Sequence, residues 1–318
     1  MDILVLGCGV SGLTSGIALQ RAGHRVTIWA KALPPDTTSN VAAAVWYPYK
    51  AYPIERVTAW GAAAYRAFRD LARVAGAGVT MAEALDVRDT PSDDDPWWAG
   101  AVDGFRHARP GELPLGYVDG YVFAAPVMDM SIYLDYLMRE FSSGGGTITQ
   151  RAVARLDDVP AAYPLVVNCT GLGARELCGD TDLHPSRGQV ARVRDNGFRR
   201  VLLDDVGPNK VAYIVPRIHD IVLGGVDEEG NESATVDPRQ TADILRRCAN
   251  LAPAFAGLTP GDVVSVACGL RPLRSSVRLE AEHLGAGRVV IHNYGHGGAG
   301  VTLSWGCAQE VVEIVSSL

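Results

Sequence analysis

A glycine-rich segment near the start of the chain has the spacing of a phosphate-binding loop. Gly7-Cys8-Gly9-Val10-Ser11-Gly12 follows an apolar run at residues 2–6 and opens a helical pattern at residues 10–22. Its glycines permit a tight turn and close approach of the backbone to a pyrophosphate, and the free N–H groups of a helix N-terminus favour an anion there. Together with the next apolar run at residues 26–29, this segment predicts a βαβ dinucleotide-binding unit.

The residue after the second predicted strand bears on which dinucleotide is bound. Lys31 lies where a ribose-binding acidic residue would be expected. A lysine there suits either the 2′-phosphate of NADP or a solvated surface position. Because no second basic residue pairs with Lys31 and another glycine loop lies near the end of the chain, we predict that FAD is bound rather than NADP.

That other loop is His292-Asn293-Tyr294-Gly295-His296-Gly297-Gly298-Ala299-Gly300-Val301-Thr302. It separates a strand pattern at residues 288–292 from a helical pattern at residues 302–315. Backbone N–H groups and a helix N-terminus there favour the edge of a flat ring that gains negative charge, as a reduced flavin does. His292 and His296 are four residues apart, but they span a strand–loop junction without a carboxylate, so we predict no metal site.

Two further residues are candidates for binding a substrate. Arg271, in Gly269-Leu270-Arg271-Pro272, carries a planar guanidinium that can pair bidentately with a carboxylate. A surface ion pair is the alternative. Tyr213 lies near the start of the strand pattern at residues 211–215, where a core tyrosine with a satisfied hydroxyl is the alternative interpretation.

The elements that must position these residues indicate two interleaved domains. The chain opens and closes with α/β patterns, whereas residues 188–225 predict short alternating strands. We therefore predict an α/β fold in which a Rossmann-like FAD-binding domain is interleaved with an α+β substrate-binding domain built on a mostly antiparallel sheet. The first domain is assigned residues 1–50, 131–185 and 280–318, and the second residues 51–130 and 186–279.

Composition excludes several classes of protein. Lys and Arg number 29 against 36 Asp and Glu, a net charge of −7, which argues against nucleic-acid and anionic-membrane partners. No apolar run approaches the roughly 18 residues of a membrane-spanning helix. The six cysteines lack paired CxxC spacing, which argues against a zinc site or a disulfide scaffold. We expect a reduced, cytoplasmic protein with small-molecule partners, and a homodimer is left open.

Taken together, the motifs resemble those of the D-amino-acid oxidase family along nearly the whole chain. Besides the two glycine loops, the matching segments are Thr37-Thr38-Ser39, Val41-Ala42-Ala43, Trp46-x-Pro48-Tyr49, Gly104-Phe105-Arg106, Val167-Asn168-Cys169-Thr170-Gly171, Arg187-Gly188-Gln189, Tyr213-Ile-x-Pro216, Gly224-Gly225 and Gly269-x-Arg271-Pro272. The long terminal loop and the Arg-Pro motif are specific, whereas the first glycine motif is shared with many dinucleotide-binding folds.

The resemblance implies non-covalently bound FAD and a set of residues around it. Arg271 would bind the substrate carboxylate with help from the Tyr213 hydroxyl, and the Gly298 carbonyl would accept a hydrogen bond from the amine. These anchors would orient one enantiomer for hydride transfer to flavin N5. The expected cofactor contacts are Gly7, Gly9, Val10, Ser11, Gly12, Lys31, Thr37, Thr38, Ser39, Ala43, Ala44, Val45, Val153, Gly297, Gly298, Gly300, Val301 and Thr302.

The implied activity is oxidative deamination of D-amino acids to 2-oxo acids and ammonia, with oxygen reduced to hydrogen peroxide. We predict neutral, mostly apolar substrates, because Asp227 follows the Gly-Gly pair and would repel a second carboxylate. Arg217 would reverse this preference if it pointed into the pocket with Tyr213. The segment 208–212 is short, and we expect no lid. The alternatives are a D-aspartate oxidase, a glycine- or sarcosine-type amine oxidase and a non-catalytic dinucleotide-binding protein.

Overall fold

The computed structural model describes the backbone of residues 1–318 and every side chain except that of Ala286. Its strands are β1 (Asp2–Leu6), β2 (Arg25–Ala30), β3 (Val79–Arg88), β4 (Arg106–His107), β5 (Asp119–Met128), β6 (Thr147–Gln150), β7 (Leu165–Asn168), β8 (His184–Arg194), β9 (Val201–Asp204), β10 (Ala212–Pro216), β11 (Asp220–Gly224), β12 (Glu228–Glu229), β13 (Val263–Leu273), β14 (Arg278–His283) and β15 (Val289–Tyr294). Its helices are α1 (Val10–Arg21), α2 (Thr38–Val41), α3 (Ile54–Leu71), α4 (Met130–Ser143), α5 (Ala174–Leu177), α6 (Pro238–Leu251) and α7 (Gly300–Ser317).

The first sheet has the strand order β14-β15-β7-β1-β2-β6 and is parallel except between β14 and β15. Residues 3–5 of β1 are completely buried, as expected for a central strand covered on both faces. Helix α1 connects β1 to β2 and packs against α4 and α7. The predicted Rossmann-like βαβ unit is confirmed.

The second sheet has the order β12-β8-β11-β10-β9-β3-β5-β4, with β13 also paired to β8. It is antiparallel except between β3 and β9. Helix α6 covers β8, β10 and β11, and its buried residues join a second apolar core with those strands. The predicted mixed α/β architecture with a mostly antiparallel second sheet is confirmed.

The two sheets are linked along the chain and through helix packing. Strand β13 of the second sheet is followed in the chain by β14 of the first sheet. Helix α3, which the sequence assigns to the substrate-binding domain, packs along α7. The domain boundaries therefore stay a prediction, since packing crosses them at residues 54–71.

Two expectations from composition can be compared with the structure. Within the residues that the structure describes, no helix is both long enough and apolar enough to cross a bilayer. All six cysteines are free, and four of them, Cys8, Cys169, Cys248 and Cys307, are buried.

Candidate active site

A cavity of about 690 Å³ is bordered by both sheets. Its walls come from the segments that follow β1, β2, β6 and β7, from β10 and β13, and from the loop before α7. This volume lies within the range of ligand sites in proteins, roughly 300–1,000 Å³. Every predicted site residue except Gly12 borders it, namely Gly7, Gly9, Val10, Ser11, Lys31, Thr37, Thr38, Ser39, Ala43, Ala44, Val45, Val153, Tyr213, Arg271, Gly297, Gly298, Gly300, Val301 and Thr302.

The first glycine loop is held in a conformation that side chains would disrupt. Gly7 has φ +108°, and a Cβ there would overlap the carbonyl of Cys169. A Cβ on Gly12 would overlap the Gly7 carbonyl, so Gly12 allows α1 to pack on the loop rather than bordering the cavity. Gly9 has no side chain to cap α1, but the Val10 N–H donates to the Ser39 hydroxyl (3.0 Å). Ser39 is thereby held at the start of this helix, where the dipole and the remaining N–H groups favour an anion in the cavity.

A second cation borders the cavity near Lys31. Arg151 directly follows β6, its N–H donates to the Ala30 carbonyl over 2.8 Å, and its guanidinium lies 3.9 Å from the Trp29 ring centroid. The sequence argument that Lys31 has no basic partner was therefore wrong. The pairing of β2 with β6 brings the two residues together although they are far apart in the chain.

The loop before α7 is packed against the segment at residues 47–50. A Cβ on Gly297 would overlap the Lys50 carbonyl, and one on Gly298 would lie 2.5 Å from Cδ1 of Tyr49. The Thr302 hydroxyl donates to the Tyr47 carbonyl (3.0 Å) and accepts the Tyr47 N–H (3.1 Å). Thr302 therefore fastens the Tyr47 segment to the start of α7.

The two histidines of this loop are both buried and each has a hydrogen-bond partner. Nε2 of His296 lies 2.9 Å from Oδ1 of Asn293, whose amide donates to Ser15. Burial lowers the pKa of His296 to about 4, so its ring is neutral at physiological pH. His292 lies 2.8 Å from the Glu282 carboxylate, and burial lowers its pKa as well. No group of His, Cys, Asp and Glu among the described residues is arranged to hold a metal ion.

Arg271 and Tyr213 lie together at the part of the cavity formed by the second sheet. Nη1 of Arg271 donates to the carbonyls of Val226 (2.9 Å) and Arg187 (3.4 Å). Its bonds to carbonyls both use Nη1, and the guanidinium also lies at the Tyr213 hydroxyl, so a carboxylate that pairs with the Nη2 edge would meet both groups. Burial raises the pKa of Tyr213, which keeps its hydroxyl a donor, and the Arg271 guanidinium acts in the opposite direction.

Glycines make room for these two side chains. A Cβ on Gly188 would lie 2.7 Å from the Arg271 guanidinium, and Cβ atoms on Gly224 and Gly225 would overlap or crowd the Tyr213 ring. The Gly-Gly pair and the Arg-Gly-Gln motif thus have a steric role in shaping the site.

The acidic residue that the sequence placed near the substrate does not border the 690 Å³ cavity. Asp227 forms an ion pair with Lys50 and accepts hydrogen bonds from Tyr49 (2.8 Å) and Ser186 (2.6 Å). Burial works against the charged carboxylate, but these three partners outweigh it and lower the pKa of Asp227. Asp227 lies 3.9 Å from Nη1 of Arg271. It is therefore a neighbour of Arg271 and is already paired with a lysine.

Arg217 and Arg274 were the two possible partners for an acidic substrate side chain. Both form ion pairs with other residues. Arg217 is 6% exposed and forms two 2.7 Å bonds to Asp220. It lies one residue past β10, where its backbone N–H and its guanidinium both bond to Asp220. Arg274 lies 3.0 Å from Asp180. Neither arginine borders the cavity.

Several bordering residues were assigned no role from the sequence. Tyr47 and Tyr49 belong to the Trp-x-Pro-Tyr segment that was noted only as a motif, whereas Arg151 and Asp205 belong to no motif. The available signal for the tyrosines was their position in an aromatic segment that closely follows the predicted contacts at residues 37–45. Arg151 follows β6 and Asp205 follows β9, and the pairing of these strands with their neighbours places both residues at the cavity.

The comparison with known families decides the identity of the fold and its cofactor. A family profile described as FAD dependent oxidoreductase matches residues 2–314. The chain belongs to this family. The cofactor prediction of FAD is thereby confirmed, and the residues fit it, because two glycine loops, each at the start of a helix, border one cavity.

Two relatives and one solved structure give the degree of similarity. The D-amino-acid oxidase of Rubrobacter xylanophilus is 47% identical over 99% of this chain and 95% of that protein. The D-amino-acid oxidase of Dictyostelium discoideum is 39% identical over 99% of this chain and 91% of that protein. The crystal structure of glycine oxidase from Geobacillus kaustophilus has a TM-score of 0.81 at 18% identity, covering 99% of this chain and 94% of that one, which shows a shared fold. The resemblance to the D-amino-acid oxidases is confirmed.

Proposed function

We propose that this protein is an FAD-dependent oxidase that converts neutral D-amino acids, oxygen and water to 2-oxo acids, ammonia and hydrogen peroxide. The observation that carries the proposal is Arg271, whose free guanidinium edge lies beside Tyr213 in the same cavity as both glycine loops. A match of 47% identity to a D-amino-acid oxidase over nearly the full length supports the same activity.

FAD, when bound, supplies the two-electron acceptor for the hydrogen on the substrate α-carbon. The contribution of the protein is binding and orientation. Arg271 pairs with the substrate carboxylate, the Tyr213 hydroxyl donates to the same group, and the Gly298 carbonyl accepts from the amine. With carboxylate and amine fixed, the α-hydrogen of only one enantiomer faces the cofactor, so the rate comes from orientation more than from an acid or base.

The preference for neutral side chains follows from the charges near the anchors. A second carboxylate in a partly desolvated site costs several kcal/mol unless a cation meets it. Arg217 and Arg274 are paired with Asp220 and Asp180, and Lys50 is paired with Asp227. The substrate carboxylate thus takes the free edge of Arg271, and an acidic side chain finds no comparable partner beside it.

The proposal is tested by identifying the cofactor and the product. We expect the denatured protein to release FAD, and the loaded protein to form peroxide from D-Ala, D-Val and D-Met faster than from glycine, sarcosine or D-Asp. Release of a nicotinamide nucleotide would contradict the cofactor assignment for this chain. Faster oxidation of glycine or sarcosine would favour the amine-oxidase alternative, and FAD without peroxide would favour the non-catalytic one. Oxygen as acceptor, a homodimer and a cytoplasmic location remain predictions.

A further inference from the structure

The two substrate anchors, Arg271 and Gly298, are joined by a closed ring of contacts, and one member of this ring is Asp227. Resting on the proposed function, we propose that Asp227 is a positioning residue for the reaction. It holds the Tyr49 ring against Gly298 at a fixed separation from the Arg271 guanidinium, and so sets the orientation in which a D-amino acid meets the cofactor. Asp227 does not border the 690 Å³ cavity, so it acts through these neighbours rather than by touching the substrate.

The backbone forms one half of the ring. The Gly297 N–H donates to the Pro272 carbonyl over 2.9 Å, which bonds the residue before Gly298 to the residue after Arg271. This bond fixes the separation of the two main-chain segments. It does not determine where the guanidinium lies, because that group is at the far end of a side chain with several rotatable bonds.

Side chains and one carbonyl form the other half. Nη1 of Arg271 donates to the Val226 carbonyl over 2.9 Å, and the next residue is Asp227. Oδ1 of Asp227 accepts the hydroxyl of Ser186 (2.6 Å), the residue that is paired with Arg271 between β8 and β13. Its Oδ2 accepts the Tyr49 hydroxyl (2.8 Å). The carboxylate, in a side chain that is 12% exposed, thus connects the strand pair of Arg271 with the segment of Tyr49.

The Tyr49-Lys50 segment lies between Asp227 and Gly298. A Cβ on Gly298 would be 2.5 Å from Cδ1 of Tyr49, and the Lys50 ammonium forms an ion pair with Asp227. Lys50 has φ +48°, a left-handed conformation that non-glycine residues seldom adopt. Such conformations persist where the surrounding contacts impose them, and they are frequent at functional sites. Without the Asp227 carboxylate, we expect this segment to shift and the Tyr49 ring to move relative to Gly298.

This role of Asp227 distinguishes ligands held at two anchors from ligands held at one. A D-amino acid uses Arg271 for its carboxylate and Gly298 for its amine, so its orientation depends on the separation of these two residues. Benzoate presents only a carboxylate. A misplacement of about 1 Å can lower a rate by about 100-fold. Loss of the Asp227 contacts should therefore slow hydride transfer from a D-amino acid and leave benzoate binding nearly unchanged.

Asp227→Asn tests this expectation, because the amide has the shape of the carboxylate but lacks the charge that pairs with Lys50. Mixing with D-Met in the absence of oxygen gives the limiting rate of flavin reduction. We expect this rate to fall at least about tenfold, the Kd of benzoate to change less than about threefold, and FAD content to stay unchanged. Asp220→Asn is the matched control. It removes a partly buried ion pair with Arg217 in the same sheet, and we expect it to leave all three values unchanged.

Tyr49→Phe separates positioning from a direct effect of the Asp227 charge. It removes the hydroxyl that bonds to Asp227 but keeps the carboxylate and the ring against Gly298. We expect the limiting rate to fall at least about threefold. The double variant should be no slower than Asp227→Asn alone, because both changes break the same contact. An unchanged rate in Tyr49→Phe, or fully additive losses, would overturn the proposal. Tyr49→Phe also decides the question if Asp227→Asn is recovered without FAD.

A peroxide assay in air distinguishes failure of this inference from failure of the proposed function. A wild type that D-Met reduces but that forms no peroxide would refute the oxidase function and leave the role of Asp227 intact. In an active oxidase, an unchanged limiting rate in Asp227→Asn, or a parallel loss of rate and benzoate affinity, would overturn that role. A wild type that D-Met does not reduce would refute both.

Discussion

Replacing Arg271 by alanine should abolish most of the activity and leave the flavin bound. The side chain is 19% exposed, so its contact with a substrate carboxylate is largely desolvated. Truncating one partner of such a pair typically costs about 2–5 kcal/mol, or roughly 30- to 4,000-fold in kcat/KM. Asp227, 3.9 Å from Nη1, keeps Lys50 as its partner in the variant, so the expected loss is that of the carboxylate contact itself. We therefore expect a loss of about 100-fold or more.

The assay compares kcat/KM for D-Met, FAD content and benzoate affinity in three variants. Arg271→Lys keeps the charge but lacks the planar fork that contacts the Val226 carbonyl, and we expect an intermediate loss. Arg194→Ala removes an exposed arginine from β8 and serves as the control. Benzoate affinity should fall with activity, because benzoate presents only a carboxylate to the site. A variant Arg271→Ala with near-normal kcat/KM and benzoate affinity would refute the role of Arg271 as the carboxylate anchor.

Three further predictions follow from individual contacts. Tyr213→Phe should weaken benzoate binding by about 1.5–3 kcal/mol while the ring still packs, and unchanged affinity in a titration would remove the hydroxyl from the site. Gly12→Ala should reduce FAD content at purification, because its Cβ overlaps the Gly7 carbonyl; full FAD retention would argue against this packing role. Burial raises the pKa of Asp86 to about 7, so between its unfolded value of 3.8 and pH 7 the folded state retains a proton that the unfolded state releases. Stability should consequently fall as pH rises through this window in the wild type and less so in Asp86→Asn, as measured by chemical denaturation at pH 5 and 8; parallel profiles would contradict the assignment.

The parts of the fold that the sequence predicted well are those with strong local signals. The β1-α1-β2 unit was expected at residues 2–6, 10–22 and 26–29 and lies within one residue of these bounds. By contrast, no strand was predicted at β3, although it has ten residues. Its sequence Val-Thr-Met-Ala-Glu-Ala-Leu-Asp-Val-Arg contains good helix formers. It forms a strand because it pairs with β5 along its whole length.

The candidate site also contains residues with local sequence signals and residues that only the fold brings together. The two glycine loops were predictable because turn, strand and helix start are neighbours in the chain. Arg151, Asp205 and the pairing of Arg217 with Asp220 were not, since they depend on how strands and turns meet in space. The lysine near Asp227 also lies 177 residues earlier, at Lys50, so the sequence alone could not show that this carboxylate is neutralised.

The most direct test of the central claim is the enantiomer dependence of product formation by the FAD-loaded protein. D-Met and L-Met are supplied separately, and hydrogen peroxide and the 2-oxo acid are measured in the same sample. The two-anchor arrangement of Arg271 and Gly298 predicts equal amounts of both products from D-Met and essentially none from L-Met. Equal rates with the two enantiomers, or no peroxide from D-Met, D-Ala and D-Phe alike, would contradict the account.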